Sequence, residues 1–180
     1  MNRLAFNRGY LCGAMDRVRD GGVEWRRQLQ ESLADLQVFW LDPTRKPIDI
    51  GIEDIENRQR RHTDKQAGAF ASVASDMRQI RSVDLRMVDI CDFLVVNIDT
   101  DVHCCGTYEE LFWANRCKKP IITRIAQGKH NTPDWLLGTI KPELIFSTWD
   151  EVYGYIRHIA HDESIDRLGR WYFFDWMGTK

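Results

Sequence analysis

The apolar positions of this chain fall into short unbroken runs, separated by longer stretches in which they recur every three or four residues. That alternation is the sequence form of a parallel sheet flanked by helices. Strands buried on both faces read as continuous apolar runs, whereas a surface helix shows one apolar stripe. Five strands are predicted: Arg8 to Cys12, stopping at Gly13; Gln37 to Leu41, stopping at Asp42 and Pro43; Phe93 to Ile98; Ile121 to Ile125; and Leu144 to Phe146. The FLVVNI run of Phe93 to Ile98 is the strongest and belongs at the centre of the sheet. Helices are predicted near Val23 to Leu36, Ser75 to Cys91, Tyr108 to Cys117 and Trp149 to His161. The expected fold class is α/β, a three-layer sandwich about a parallel sheet of about five strands.

Two stretches break the pattern. Pro43 to Ala74 is charged, follows neither period, and carries the basic run Arg58, Arg60, Arg61, His62. It reads as an excursion over the sheet edge, helical in part, and a connection of that length is usually functional or mobile. Its basic run has two readings, a solvated face or a phosphate site. The second stretch is the C-terminal tail, where Trp171, Tyr172, Phe173, Phe174 and Trp176 gather within a few residues. So much aromatic surface is not left in water, and the tail is expected to pack on its own domain or on a neighbouring subunit. The organisation expected is one domain over 1–165 and a packing tail over 166–180.

Composition narrows the partners. The 180 residues are 43% apolar and include seven Trp, enough for one core without a metal or disulfide staple. The 25 basic and 27 acidic residues are interspersed and leave a formal net charge of -2. No broad polyanion-binding face is implied, so a small ligand is expected rather than long nucleic acid. Cys12, Cys91, Cys104, Cys105 and Cys117 are odd in number and lack C-x-x-C spacing, which reads as reduced thiols in a cytoplasmic protein. No apolar run reaches the roughly 18 residues of a membrane span, and Met1 to Asn7 has no signal core, so no membrane partner is expected.

In an open parallel sheet, ligands bind beyond the carboxyl ends of the strands. Three segments are expected to meet there. The first is Tyr10-Leu11-Cys12-Gly13-Ala14-Met15-Asp16, a strand that stops at a glycine where a ligand can approach the backbone. No G-x-G-x-x-G follows it, so no dinucleotide fingerprint is present and no cofactor is expected. The second runs from Asp84 to Asp92, a helix end leading into the central strand; each acid is either a pocket group or an ordinary surface or turn residue. The third, Asp99 to Leu111, joins the central strand to a helix and contains Thr107 and Glu110 at capping-box spacing. Spacing alone leaves Glu110 either a cap or a catalytic carboxylate. His103-Cys104-Cys105 makes a poor zinc site without a second paired cluster, and no metal is expected.

Taken together, the three segments resemble the nucleoside 2-deoxyribosyltransferase superfamily, including its nucleotide N-hydrolase branch. Tyr10, Leu11, Cys12 and Gly13 match its opening strand, Asp84 and Asp92 its paired acids, and Gly106, Thr107, Glu110, Leu111 and Ala114 its nucleophile motif. The Trp149-Asp150 pair is a further family-like feature, so the likeness runs from about Tyr10 to His161. The resemblance implies a flavodoxin/Rossmann-like fold and cleavage or exchange of the N-glycosidic bond of a nucleoside or nucleotide. By it, Glu110 attacks the anomeric carbon, kept ionised by its helix N-terminus, and Asp84 contacts or protonates the departing base. Tyr10, Cys12, Gly13, Asp16, Gly106 and Thr107 are the substrate-binding candidates it implies. The family also completes its sites across subunits, so a homo-oligomer is expected.

Departures from the pattern bear on the substrate. Relatives often hold the sugar or its phosphate with an Asp or Ser five or six residues before the nucleophile, where this chain has Cys104 and Cys105; Asp99 and Asp101 are candidate substitutes. Arg17 and Arg19 either meet a phosphate or are solvated, and Phe112 replaces a usual Gly. Two alternatives to the transferase or N-glycosidase stand. One is a non-catalytic nucleotide-binding sensor with Glu110 as a cap. The other is hydrolysis of a nicotinamide or cyclic-nucleotide-type ligand.

Overall fold

The computed structural model describes residues 1–161 and 169–177, with side chains through Phe174. The boundary expected between 165 and 166, and the side chain of Trp176, lie outside the described residues. The chain forms β1 (Arg8–Gly13), α1 (Val23–Ser32), β2 (Phe39–Leu41), α2 (Ile55–Gln66), α3 (Phe70–Ile90), β3 (Phe93–Ile98), α4 (Cys105–Arg116), β4 (Ile121–Ile125), α5 (Asp134–Leu137), β5 (Ile145–Phe146) and α6 (Trp149–His161). Every strand pairing is parallel, in the order β2-β1-β3-β4-β5. β3 is central, as its unbroken apolar run predicts: Gly9–Gly13 pair with Phe93–Asn97 on one side, and Leu94–Ile98 with Ile121–Ile125 on the other.

Strand alternation divides the core into two layers. Tyr10, Cys12, Leu94, Val96 and Ile98 face Met87, Val88, Leu111 and Ala114 of α3 and α4. Leu11, Phe93, Val95 and Ile122 face Leu29 and Leu33 by α1, Val152 and Ile156 of α6, and Trp171. The period of two therefore puts Tyr10 and Cys12 under the helix that carries Glu110. Trp171 is fully buried, packs on Phe93 and stacks with Phe174, and its indole N–H donates to the Tyr155 hydroxyl at 2.9 Å.

Several boundaries differ from expectation for local reasons. The first helix ends at Ser32, a 3-10 turn spans Ala34–Leu36, and Gln37 is left-handed at φ 53, so β2 starts at Phe39 instead of Gln37. The excursion contains α2, whose start is capped by Asp54 accepting from the Asn57 amide at 2.7 Å. It also contains the first turn of α3, which starts at Phe70 instead of Ser75. Leu144 closes a 3-10 turn, leaving β5 as two residues. The capping box that the spacing of Thr107 and Glu110 allows does not form: α4 starts at Cys105 after Cys104, with no side-chain cap, so Thr107 lies inside the first turn. Among the described residues, no helix is long and apolar enough to cross a membrane.

Candidate functional site

β1 and β3 are neighbours in the sheet, but α1 follows β1 onto one face and α4 follows β3 onto the other. Their diverging connections open a crevice at the carboxyl ends of the strands, the ligand-binding position of this strand order. A cavity of about 610 Å³ occupies it, within the usual range for small-molecule sites. Gly13 to Arg17 line it from the β1–α1 connection, Ile80 and Asp84 from α3, and His103 to Thr107 with Glu110 from the start of α4; the excursion adds Glu53, Arg61 and Lys65. Glycine is required at residue 13, where a Cβ would stand 2.9 Å from the Trp25 ring. The Gly13 carbonyl is fixed by Arg26, a fully buried cation that also donates to the Leu11 and Gly22 carbonyls, at 2.8 to 3.1 Å, and lies 3.8 Å from Asp42.

Glu110 is the sixth residue of α4 and opens into the cavity. Burial pushes its carboxyl up to about 8, and the negative charge of Asp84 adds to that; Cys12, Tyr10 and Arg26 act in the opposite direction. The Tyr10 hydroxyl is buried beside it and otherwise unpartnered, and the Cys12 thiol also reaches the Thr107 carbonyl at 3.5 Å. The expectation that the helix N-terminus keeps Glu110 ionised is therefore corrected. The macrodipole fades within the first turn, Glu110 lies beyond it, and desolvation wins. Its neighbour Glu109 also lines the cavity but is held in an ion pair with Arg81, whose Nε donates to both carboxylate oxygens at 2.8 and 2.9 Å.

Asp84 reaches the same cavity from α3 and is itself buried. Burial raises its carboxyl above the ordinary range, Lys46 opposes that, and the acid of Glu53 reinforces it. Lys46 Nζ stands 2.8 Å from Asp84 Oδ1 and 3.0 Å from Glu53 Oε1, and donates to the Gly51 carbonyl at 2.7 Å. These are enclosed charges: the Lys46, Asp84 and Glu53 side chains are 3%, 9% and 10% exposed. One cation between two carboxylates leaves an acidic excess, which favours a proton retained on Asp84.

The structure thus brings Glu110, Asp84, Tyr10, Cys12, Gly13, Asp16, Gly106 and Thr107 to one crevice, with Tyr10 and Cys12 beneath it. Asp99 and Asp101 do not line the cavity. The Gln127 amide donates to both of them, at 2.5 and 3.0 Å, which ties their turn to the β4 side. Asp92 closes the opposite end of the sheet by pairing with Arg8. Cys104 is buried at the cavity wall, and Cys105 lies 3.1 Å from His103 Nε2. Sequence reasoning missed Lys46, Glu53 and Arg26. Only Arg26 left a signal, sitting three and seven residues before Leu29 and Leu33 on the apolar stripe of its helix.

No protein-family model matches the chain, and no curated protein matches its sequence. Among solved structures, the 2-deoxyribosyltransferase of the psychrotolerant bacterium Bacillus psychrosaccharolyticus is similar at a TM-score of 0.54 and 16% identity, over 82% of this chain and 91% of that one. The 2-deoxyribosyltransferase of Leishmania mexicana gives 0.55 and 17%, over 84% and 98%. A conserved protein from Enterococcus faecalis gives 0.53 and 13%, over 86% and 99%. The fold is the Rossmann-like fold of the 2-deoxyribosyltransferases, which bears out at the level of fold the resemblance read from the three motifs.

Proposed function

We propose that this protein is an enzyme that cleaves or exchanges the N-glycosidic bond of a nucleoside or nucleotide, with Glu110 as nucleophile and Asp84 as the acid that serves the base. The carrying observation is that a buried carboxyl, Asp84, and a half-buried one, Glu110, converge from different helices on one cavity at the switch point of the sheet. One of the Glu110 oxygens attacks the anomeric carbon as the bond to the base nitrogen breaks, giving a glycosyl ester and leaving the bonding pair on the base. Asp84, held toward its protonated form by burial and by Glu53, donates to that nitrogen or to a conjugated position of the ring. A second base or a water then attacks the anomeric carbon of the ester and gives its proton to Asp84, so that the bond to the Glu110 oxygen breaks, product leaves and both carboxyl groups return to their starting forms. Tyr10 and Cys12 favour the ionised nucleophile, so they offset part of the desolvation that opposes it.

The test is a panel of nucleosides and nucleoside monophosphates, incubated with and without a second free base and followed by chromatography. Base release marks a hydrolase and base exchange a transferase. Binding without turnover supports the sensor instead. Glu110→Ala is expected to abolish turnover and Glu109→Ala to retain most of it, since Glu109 is engaged with Arg81. A slow 2-fluoro analogue should leave its sugar on the peptide containing Glu110, and a label on Glu109 would sink the assignment.

A further inference from the structure

The basic run of the excursion divides in the folded protein. Arg58 donates to the Met15 carbonyl at 2.6 Å and to that of Val18 at 3.3 Å, which fastens α2 to the β1–α1 connection. Arg60 pairs with Asp64 and Asp76 on the outside, and His62 is exposed. Arg61 faces inward. It is only 6% exposed and lines the cavity, yet among the described residues it forms no hydrogen bond, ion pair or ring contact.

A guanidinium withdrawn from water is costly unless something charged or hydrogen-bonding meets it. The acids around it are committed elsewhere. Asp84 and Glu53 share Lys46, and Glu109 is bound by Arg81. Asp16 and Glu110, the remaining acids of the wall, make no ion pair with Arg61: Asp16 is exposed, and burial holds Glu110 toward its protonated form. Of the other cations of the wall, Arg81 is engaged with Glu109, while Arg17 and Lys65 add positive charge. The five-donor fork of an arginine matches an anion with two oxygens in a plane.

We propose that Arg61 is the anion-recognising residue of the cavity, and that the substrate is an anionic nucleoside whose phosphate or carboxylate pairs with it. This rests on the glycosidic reading above and deepens it by naming the substrate class. A phosphate places the anion on the sugar, a carboxylate on the base, and the guanidinium fork serves either.

The experiment uses the full chain and matched ligand pairs: ribo- and deoxyribonucleosides against their 5-monophosphates, and uridine against its 6-carboxylate, orotidine. For wild type, Arg61→Lys and Arg61→Gln, kcat/KM is read as the ratio of the anionic to the neutral member of each pair. A charge-assisted hydrogen bond contributes enough to change a rate or binding ratio by about 10- to 100-fold. The wild-type ratio should therefore exceed tenfold in the phosphate or the carboxylate arm, fall toward one in Arg61→Gln, and recover partly in Arg61→Lys. A ratio near one in wild type, or an unchanged ratio in Arg61→Gln, overturns the proposal while leaving the glycosidic reading intact. If no ligand is turned over, calorimetric titration of the same pairs decides. Arg61-dependent binding of an anionic member keeps the anion site and sinks the glycosidase, whereas no binding by any anionic member overturns the site. Thermal melting guards against a structural effect: removing an unpaired buried charge should leave Tm equal or higher, and a lower Tm in Arg61→Gln with equal losses for both members of a pair also overturns it.

Discussion

Replacing Glu110 by glutamine should make the protein more stable at alkaline pH while destroying the chemistry proposed for it. The Glu110 carboxyl is pushed up to about 8, against an ordinary 4.5, chiefly because burial disfavours its charge. Between those values the folded protein holds a proton that the unfolded chain releases. The stability this proton contributes is therefore full below about pH 4.5 and lost as pH rises through about 8. Each pH unit of displacement is about 1.4 kcal/mol, so ionising Glu110 costs on the order of 5 kcal/mol if the cavity stays dry. Water entering the open crevice reduces this to about 2–4 kcal/mol. Glutamine carries no charge at any pH and escapes the penalty. Urea unfolding at pH 5, 7 and 9 reads the effect as the difference in stability between Glu110→Gln and wild type. The difference should move toward the variant by about 2–4 kcal/mol from pH 5 to pH 9, within the range allowed by the displaced carboxyl. A difference flat with pH to within about 1 kcal/mol would show that Glu110 ionises near its ordinary value, and the argument from desolvation would fail. In wild type the Glu110 carboxylate and the protonated Asp84 are required together, so kcat/KM should be bell-shaped, with limbs that belong to the pair at about 7 and about 8.

Two other perturbations probe the surroundings of the site. Lys46→Met removes the cation between Asp84 and Glu53, so it should cost about 3–5 kcal/mol in urea unfolding and move the alkaline limb of kcat/KM, where Asp84 loses its proton, to higher pH; an unmoved limb would deny Asp84 the role of acid. Trp171→Ala should cost about 3–5 kcal/mol, because the ring is fully buried against Phe93 and Phe174. Light scattering of that variant should find the oligomeric state of the wild type, and a change of state would place the tail at a subunit interface.

The sequence by itself determined the layers of this protein. Phe93 to Ile98 had to be central because an unbroken apolar run is stable only where both faces are covered, and the period of two then fixed Tyr10 and Cys12 on one face and Leu11 on the other. Spacing alone left Glu110 and Asp84 each with two readings, and what brought them forward was the register of their motifs, a local property of the chain that resembles a known family. Only the tertiary structure decided what surrounds them. Lys46 and Glu53 meet Asp84 from an excursion without periodicity, and Arg61 is enclosed although its neighbours Arg60 and His62 are not. Asp99 and Asp101 looked placed for the ligand but are held by Gln127, a residue 26 to 28 positions away. Hydrophobic burial is additive and leaves a periodic record in the sequence, whereas the energy of a charge depends on which distant groups and how much water lie within a few ångströms of it.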